Sequence, residues 1–244
     1  SFYVKKDINL KIFTILLTTV ISLYLVESYL TITKKTKKNK YFLEEFTKEF
    51  NKEKPSKVPV VYPYHFINEK KQKIFSFGGI SNSETIFCYE DYLVKYKSDR
   101  FGFNNPNKIW DNKNKKILLI GDSFTHGSCV FPENNIRSKI QKYSSDLSVL
   151  NLGIGGSGSL MQYAILKEYY NLVNPEVVLW IYYEENDIYD LIFEKKNHIL
   201  SNYLKDNNFK QNIINKQNEI DKKLIISFQK ELQNKNSSKI KTFQ

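Results

Sequence analysis

The chain has 244 residues, 41% of them hydrophobic, which is room for one packed α/β domain plus an appendage and excludes a disordered chain. Its formal net charge is +11, yet of the 37 basic residues only Arg100 and Arg137 are arginine, the residue that reads phosphates and bases bidentately. No basic stripe with interleaved aromatics stands out, so nucleic acid is not an expected partner. Cys88 and Cys129 are too few and too far apart for a zinc site or a disulfide framework. They are expected to be ordinary small buried residues, and no metal or cofactor is implied.

From the N-terminus, Ile12 to Leu30 is the one stretch able to cross a membrane. At ~1.5 Å per residue it covers about the hydrocarbon thickness, and its lone acid, Glu27, sits one turn from the end. No small-residue cleavage site follows Leu30, so a retained single-pass anchor is expected over a cleavable signal peptide. Lys5, Lys6 and Lys11 precede the segment, whereas Lys34, Lys35, Lys37, Lys38 and Lys40 follow it, and this count alone places the bulk of the protein in the cytoplasm.

Phe42, Leu43, Phe46 and Phe50 recur at helical spacing and predict a short amphipathic stalk helix over 41–50, ended by Pro55, Pro59 and Pro63. Two short strands are predicted at Ile74–Phe77 and Thr85–Tyr89, separated by a turn-rich Gly78–Ser83. His65, between Tyr64 and Phe66, is expected to pack rather than act.

The chemistry starts at Ile117–Ile120, an apolar run of the kind buried on both faces of a parallel sheet, followed at once by Gly121-Asp122-Ser123-Phe124-Thr125-His126-Gly127. In open α/β sheets the ligand crevice lies at the carboxyl ends of the strands, so Ser123 is expected at its rim. Val149–Leu152 is a second strand entering the glycine-rich Gly153–Gly158, which lacks the Lys-Ser/Thr of a Walker phosphate loop. Val177–Tyr183 is a third buried-strand pattern, delivering Asn186 and Asp187 to the same rim.

These three segments, in this order, resemble blocks I, II and III of the SGNH (GDSL-type) hydrolase superfamily. The likeness extends to Asp99–Pro106, which resembles a stretch before the serine block in membrane-anchored bacterial members, and covers roughly residues 99–215. It implies a three-layer α/β/α, flavodoxin-like fold with a parallel sheet, and the roles follow block by block. Ser123 matches the nucleophile and Asp122 its neighbour. Gly156, five residues after Asn151, matches the backbone oxyanion donor; Asn186 matches the side-chain donor and Asp187 the residue after it. Block III departs from the pattern, since Glu184 stands where the family has glycine.

The implied organisation is an anchor over 1–33, a stalk helix and small β appendage over 34–112, and the hydrolase domain over 113–244. The implied activity is ester hydrolysis or O-acyl transfer through an acyl-serine, on acylated glycans or lipids, outside the cytoplasm. The alternative is a membrane-anchored carbohydrate-binding or scaffolding module that keeps the fold without the reaction.

A serine hydroxyl needs a base, which the family draws from a C-terminal Asp-x-x-His block, and no histidine follows His198. His126 is expected to project away from the catalytic edge, and His198 lacks an Asp three residues before it, Lys195 standing there. With Ser1 first, Met161 the only methionine and Gln244 inside a helical run, the expectation is a fragment that stops before its base. Leu200–Gln244, with apolar Ile213, Ile214, Ile220, Leu224, Ile225, Phe228 and Leu232, is expected to form amphipathic helix packed on a sheet rather than a coiled coil.

Overall fold

A computed structural model describes residues 2–50, 55–69, 72–89, 93–143 and 146–241. The chain divides into two compact units, residues 1–45 and 46–244. The first is built from α1, which runs unbroken from Phe2 to Phe50. The separate anchor and stalk helices expected from the sequence are thus one helix, because no glycine or proline interrupts the ladder before Pro55. Within it Ile8–Thr33 is long and apolar enough to cross a membrane, with a mean hydropathy of 1.8, and is exposed throughout its apolar length. The hydroxyls of Thr14, Thr18, Thr19, Ser22 and Thr33 donate to carbonyls one turn back, so these polar groups ask nothing of a lipid environment. Which way Phe42, Leu43, Phe46 and Phe50 face lies outside the described residues.

The second unit holds two sheets. In the smaller, β1 (Lys57–Pro59) runs parallel to β2 (Glu84–Tyr89), and β2 pairs antiparallel with β3 (Leu93–Lys97). The strand expected at Thr85–Tyr89 is β2, but the one expected at Ile74–Phe77 does not form. Phe75 and Phe77 are fully buried there, and the backbone of Phe75 is satisfied by a side chain instead of a neighbouring strand. Its N–H donates to Gln211 Oε1 at 2.8 Å and its carbonyl accepts from Gln211 Nε2 at 3.2 Å. Cys88 and Cys129 correct a second expectation. They are joined in a disulfide, the fold having brought their Cα atoms within 5.4 Å, and the bridge fastens β2 to the loop behind Ser123.

The larger sheet consists of β4 (Lys115–Gly121), β5 (Leu147–Asn151) and β6 (Val177–Ile181), all parallel, in the order β5-β4-β6. Their crossovers hold α2 (Ser123–His126), α3 (Ile136–Lys142) and α4 (Ser159–Val173), and α5 (Glu184–Glu194) follows β6. Helix α3 packs on β5 and α4 on β4. Leu118, Leu119, Ile120, Val149 and Leu150 are wholly buried between these layers, each contributing about 1.5–3 kcal/mol. Strand β6 differs from its sequence-based expectation. Leu179 and Trp180 remain 39% and 43% exposed, because among the described residues β6 is an edge strand paired only with β4.

Beyond α5 come α6 (His198–Lys205), a 3₁₀ turn at Ile213–Lys216, and α7 (Gln217–Lys241). Ile213, Ile220 and Leu224 bury their side chains. Helix α7 docks along the irregular 74–81 segment: Asp221 accepts from Ser81 N at 3.0 Å and Ser81 Oγ at 2.6 Å, and Lys223 reaches the Ile74 carbonyl.

Candidate functional site at the carboxyl ends of the parallel strands

Strand β4 ends on Gly121 because nothing larger fits: a Cβ there would meet Thr125 Oγ1 and, at 2.6 Å, the Ile181 carbonyl. The turn that follows is closed by Asp122, whose Oδ1 accepts the Phe124 N–H at 2.9 Å and caps α2. Ser123 is therefore the first residue of α2, half-buried, at the crest of the middle strand. Its Oγ donates to Asp122 Oδ2 at 3.4 Å, a long contact that leaves the hydroxyl able to reorient.

Strand β5 delivers the glycine loop beside it. Asn151 fastens the loop at its start, its Oδ1 accepting Gly153 N–H at 2.8 Å and its Nδ2 donating to the Thr125 carbonyl. Gly153 lies so close to α2 that a Cβ would fall 2.7 Å from His126 N. Gly155 lies beside the serine: a Cβ on it would stand 3.7 Å from Ser123 Cβ. On the loop's other side lie Tyr62, 2.7 Å from that same Cβ position, and Tyr64, whose ring occupies the place of a Cβ on Gly156. Gly156 also has φ +72°, left-handed backbone that favours glycine. Neither Ser123 N–H nor Gly156 N–H has a hydrogen-bond acceptor among the described residues.

Strand β6 supplies the third wall through α5. Asn186 donates from Nδ2 to Asp122 Oδ2 at 3.1 Å, so one carboxylate oxygen meets both Ser123 and Asn186. Asn186 Oδ1 is buried without a partner among the described residues. Asp187 does not reach the serine; it holds the turn, accepting Tyr183 N–H at 2.9 Å and Gln162 Nε2 at 2.9 Å. Burial pushes its pKa up.

The expected site residues Ser123, Asp122 and Asn186 thus form one hydrogen-bonded group with the Gly155–Gly156 loop against it, and Asp187 stands behind them. Sequence reading missed the residues that hold the loops in place. Gln162 links the Ser157 carbonyl, Asp187 and the Trp180 indole. Glu194 takes the N–H groups of Gly158, Leu160 and Met161 at 2.6, 2.9 and 3.2 Å, capping α4 with a carboxylate that burial pushes up to about 7. Asn105 pairs with Asn151 through both backbone groups, at 2.8 and 2.9 Å. Asp99, pushed up to about 6 by burial, gathers Phe101 N, Phe103 N, Asn105 Nδ2 and Trp110 Nε1.

None of the three histidines hydrogen-bonds to Ser123 in the described residues. His126 is buried, as taken up below; His198 Nε2 lies 3.0 Å from the Gln72 carbonyl; His65 is exposed and stacks on Tyr64, ring centroids 4.1 Å apart. No group of His, Cys, Asp and Glu among the described residues is arranged to hold a metal. A cavity of about 420 Å³ is lined by Lys108, Arg137, Leu147 and Ser148, at the opposite end of β5 from Ser123. Next to the serine, Phe124 is 56% exposed and packs edge-on against Tyr183 at 5.2 Å.

Fold and site together define an α/β protein with a parallel three-stranded sheet, flanked by helices, and a half-buried serine at its crest. The sequence matches no protein-family model and no curated protein.

Proposed function

We propose that the protein is a serine-dependent ester hydrolase or O-acyltransferase of the SGNH type, with the three-layer fold of that superfamily. One observation carries this reading: at three adjacent strand ends, Ser123, the Gly155–Gly156 loop and Asn186 come together, with unengaged N–H groups on Ser123 and Gly156. Ser123 Oγ bonds the ester carbonyl carbon and gives up its proton, which ends on the departing alcohol, while the carbonyl oxygen takes up negative charge and Ser123 N–H, Gly156 N–H and Asn186 Nδ2 meet that charge. Each such donor is worth about 3 kcal/mol in the transition state. Collapse expels the alcohol and leaves an acyl-serine, which water or an acceptor hydroxyl then releases. The substrates are acylated glycans or lipids.

The protein works as a single-pass membrane protein with residues 46–244 outside the cytoplasm. The Ile8–Thr33 helix supports the anchor. The Cys88–Cys129 bridge supports the outer side against the lysine count, since disulfides persist in oxidising compartments.

A second reading, a binding or scaffolding module without catalysis, is favoured by one observation, the lack of a histidine on Ser123 in the described residues. Labelling by a fluorophosphonate separates the two. Wild-type protein in detergent should be labelled covalently, Ser123→Ala not at all, and Asn186→Ala about 10²–10³-fold more slowly. The full-length gene product resisting the probe, or Ser123→Ala accepting it, would sink the hydrolase.

A further inference from the structure

His126 follows three residues behind Ser123, yet it is fully buried and both ring nitrogens are engaged. Nδ1 lies 3.1 Å from Gly155 N, whose only proton points at it, so Nδ1 must be the unprotonated nitrogen. The neutral ring therefore carries its proton on Nε2 and donates it to the Tyr96 hydroxyl at 3.1 Å. The ring is clamped by Phe87, centroids 4.3 Å apart, and its backbone carbonyl accepts from Asn104 Nδ2 at 3.2 Å. Phe87 belongs to β2 and Tyr96 to β3, and the disulfide joins Cys88, beside Phe87, to Cys129. The small sheet thus grips His126 by one hydrogen bond, ring contacts from Phe87 and Tyr96, and one nearby covalent bridge.

What His126 grips in turn is the peptide N–H that immediately precedes Gly156. We propose that His126 is a positioning residue: held by Tyr96 as the Nε2–H tautomer, it fixes Gly155 and so aims the Gly156 N–H at the place where an oxyanion forms beside Ser123. This rests on the acyl-transfer reading of Ser123. The reason to expect an effect on reactivity, beyond stability, is distance. A Cβ on Gly155 would stand 3.7 Å from Ser123 Cβ, so a shift of this peptide moves the neighbouring Gly156 N–H relative to Ser123, and about 1 Å of misplacement costs on the order of 100-fold. Tyr96 matters for the same reason. Without its oxygen the buried Nε2–H loses its acceptor, and the ring that holds Gly155 loses one of its supports.

The test uses the full chain in detergent and two readouts: the second-order rate of Ser123 labelling by a fluorophosphonate, and hydrogen–deuterium exchange of the peptide spanning Gly153–Gly158. His126→Leu removes the acceptor, whereas His126→Asn keeps one, because the Asn Oδ1 takes the place of Nδ1. His126→Leu should label about 100-fold more slowly, as expected for a misplaced donor, and expose the Gly155 amide to exchange. His126→Asn should return to within about tenfold of wild type, and Tyr96→Phe should fall between them. Should His126→Leu fail to fold, Tyr96→Phe against wild type carries the comparison. Equal labelling in wild type and His126→Leu, or His126→Asn as slow as His126→Leu, overturns the positioning role while leaving the serine assignment intact. Wild-type protein that does not label overturns the acyl-transfer reading. The exchange data then decide alone: faster exchange in His126→Leu but not in His126→Asn sustains the positioning contact, and the same exchange in all variants ends it.

Discussion

Burial pushes the pKa of His126 down to about 3, and the protonated ring would have no acceptor for a proton on Nδ1. The unfolded chain takes up a proton there near the ordinary pKa of about 6.5. Between these values the unfolded state binds more protons, so stability falls as pH falls from 6.5 toward 3. At pH 4.5 the loss from this residue amounts to about 3 kcal/mol, two pK units at about 1.4 kcal/mol each. Denaturant unfolding of wild type and His126→Asn at pH 7.5 and 4.5 should show that loss only in the wild type. Asp99 and Glu194, pushed up to about 6 and about 7, act in the opposite direction, and subtracting the variant removes their shared contribution. At this scale the serine, the glycine and the amide were legible because each stands at the end of its own apolar run. His126, Asn105, Gln162 and Glu194 were not, since their partners lie 29, 46, 25 and 36 residues away and no local period encodes such pairings.

The Gly153–Gly158 loop threads between α2 on one side and the rings of Tyr62 and Tyr64 on the other. Gly155 requires no left-handed backbone, so a methyl group there meets a purely steric obstacle, Tyr62 Cε1 at 2.7 Å. Gly155→Ala should destabilise the protein by about 1–3 kcal/mol. In the double mutant with Tyr62→Leu, thermal or chemical unfolding should show a cost at least about 1 kcal/mol smaller than the sum of the single costs. Additive costs would mean that the ring moves aside freely. Among the elements, β2, β4 and β5 were readable from their apolar patterns. Strand β3 carried a signal that went unread, Val94 and Tyr96 inward against Lys95 and Lys97. Strand β1, three residues ending on Pro59, offered almost none. Ile74–Phe77 looked like a strand because its side chains are buried as a strand's would be; what it lacks is a backbone partner, and Gln211, far along the chain, replaces one.

For the whole molecule, the bridge between Cys88 and Cys129 closes a loop with a sequence separation of 41, which in the chain-entropy account is worth about 4 kcal/mol. Reduction, or Cys129→Ser, should lower the melting temperature and slow Ser123 labelling together, and non-reducing electrophoresis should show a mobility shift on reduction. An unchanged melting temperature with and without reductant would contradict the pairing. The Ile8–Thr33 helix should keep the protein with membranes through alkaline extraction, and removal of residues 1–33 should release it.

The order of these parts along the chain has a temporal meaning. Cys88, Tyr96, His126 and Cys129 all precede Gly155, so the chain order allows the small sheet to close on the Ser123 turn while the second crossover is still being made. In that order the imidazole would stand as a template for the glycine loop. A newborn chain kept reduced would reach Gly155 with that template unformed, and the age of the disulfide would then separate competent molecules from miscast ones.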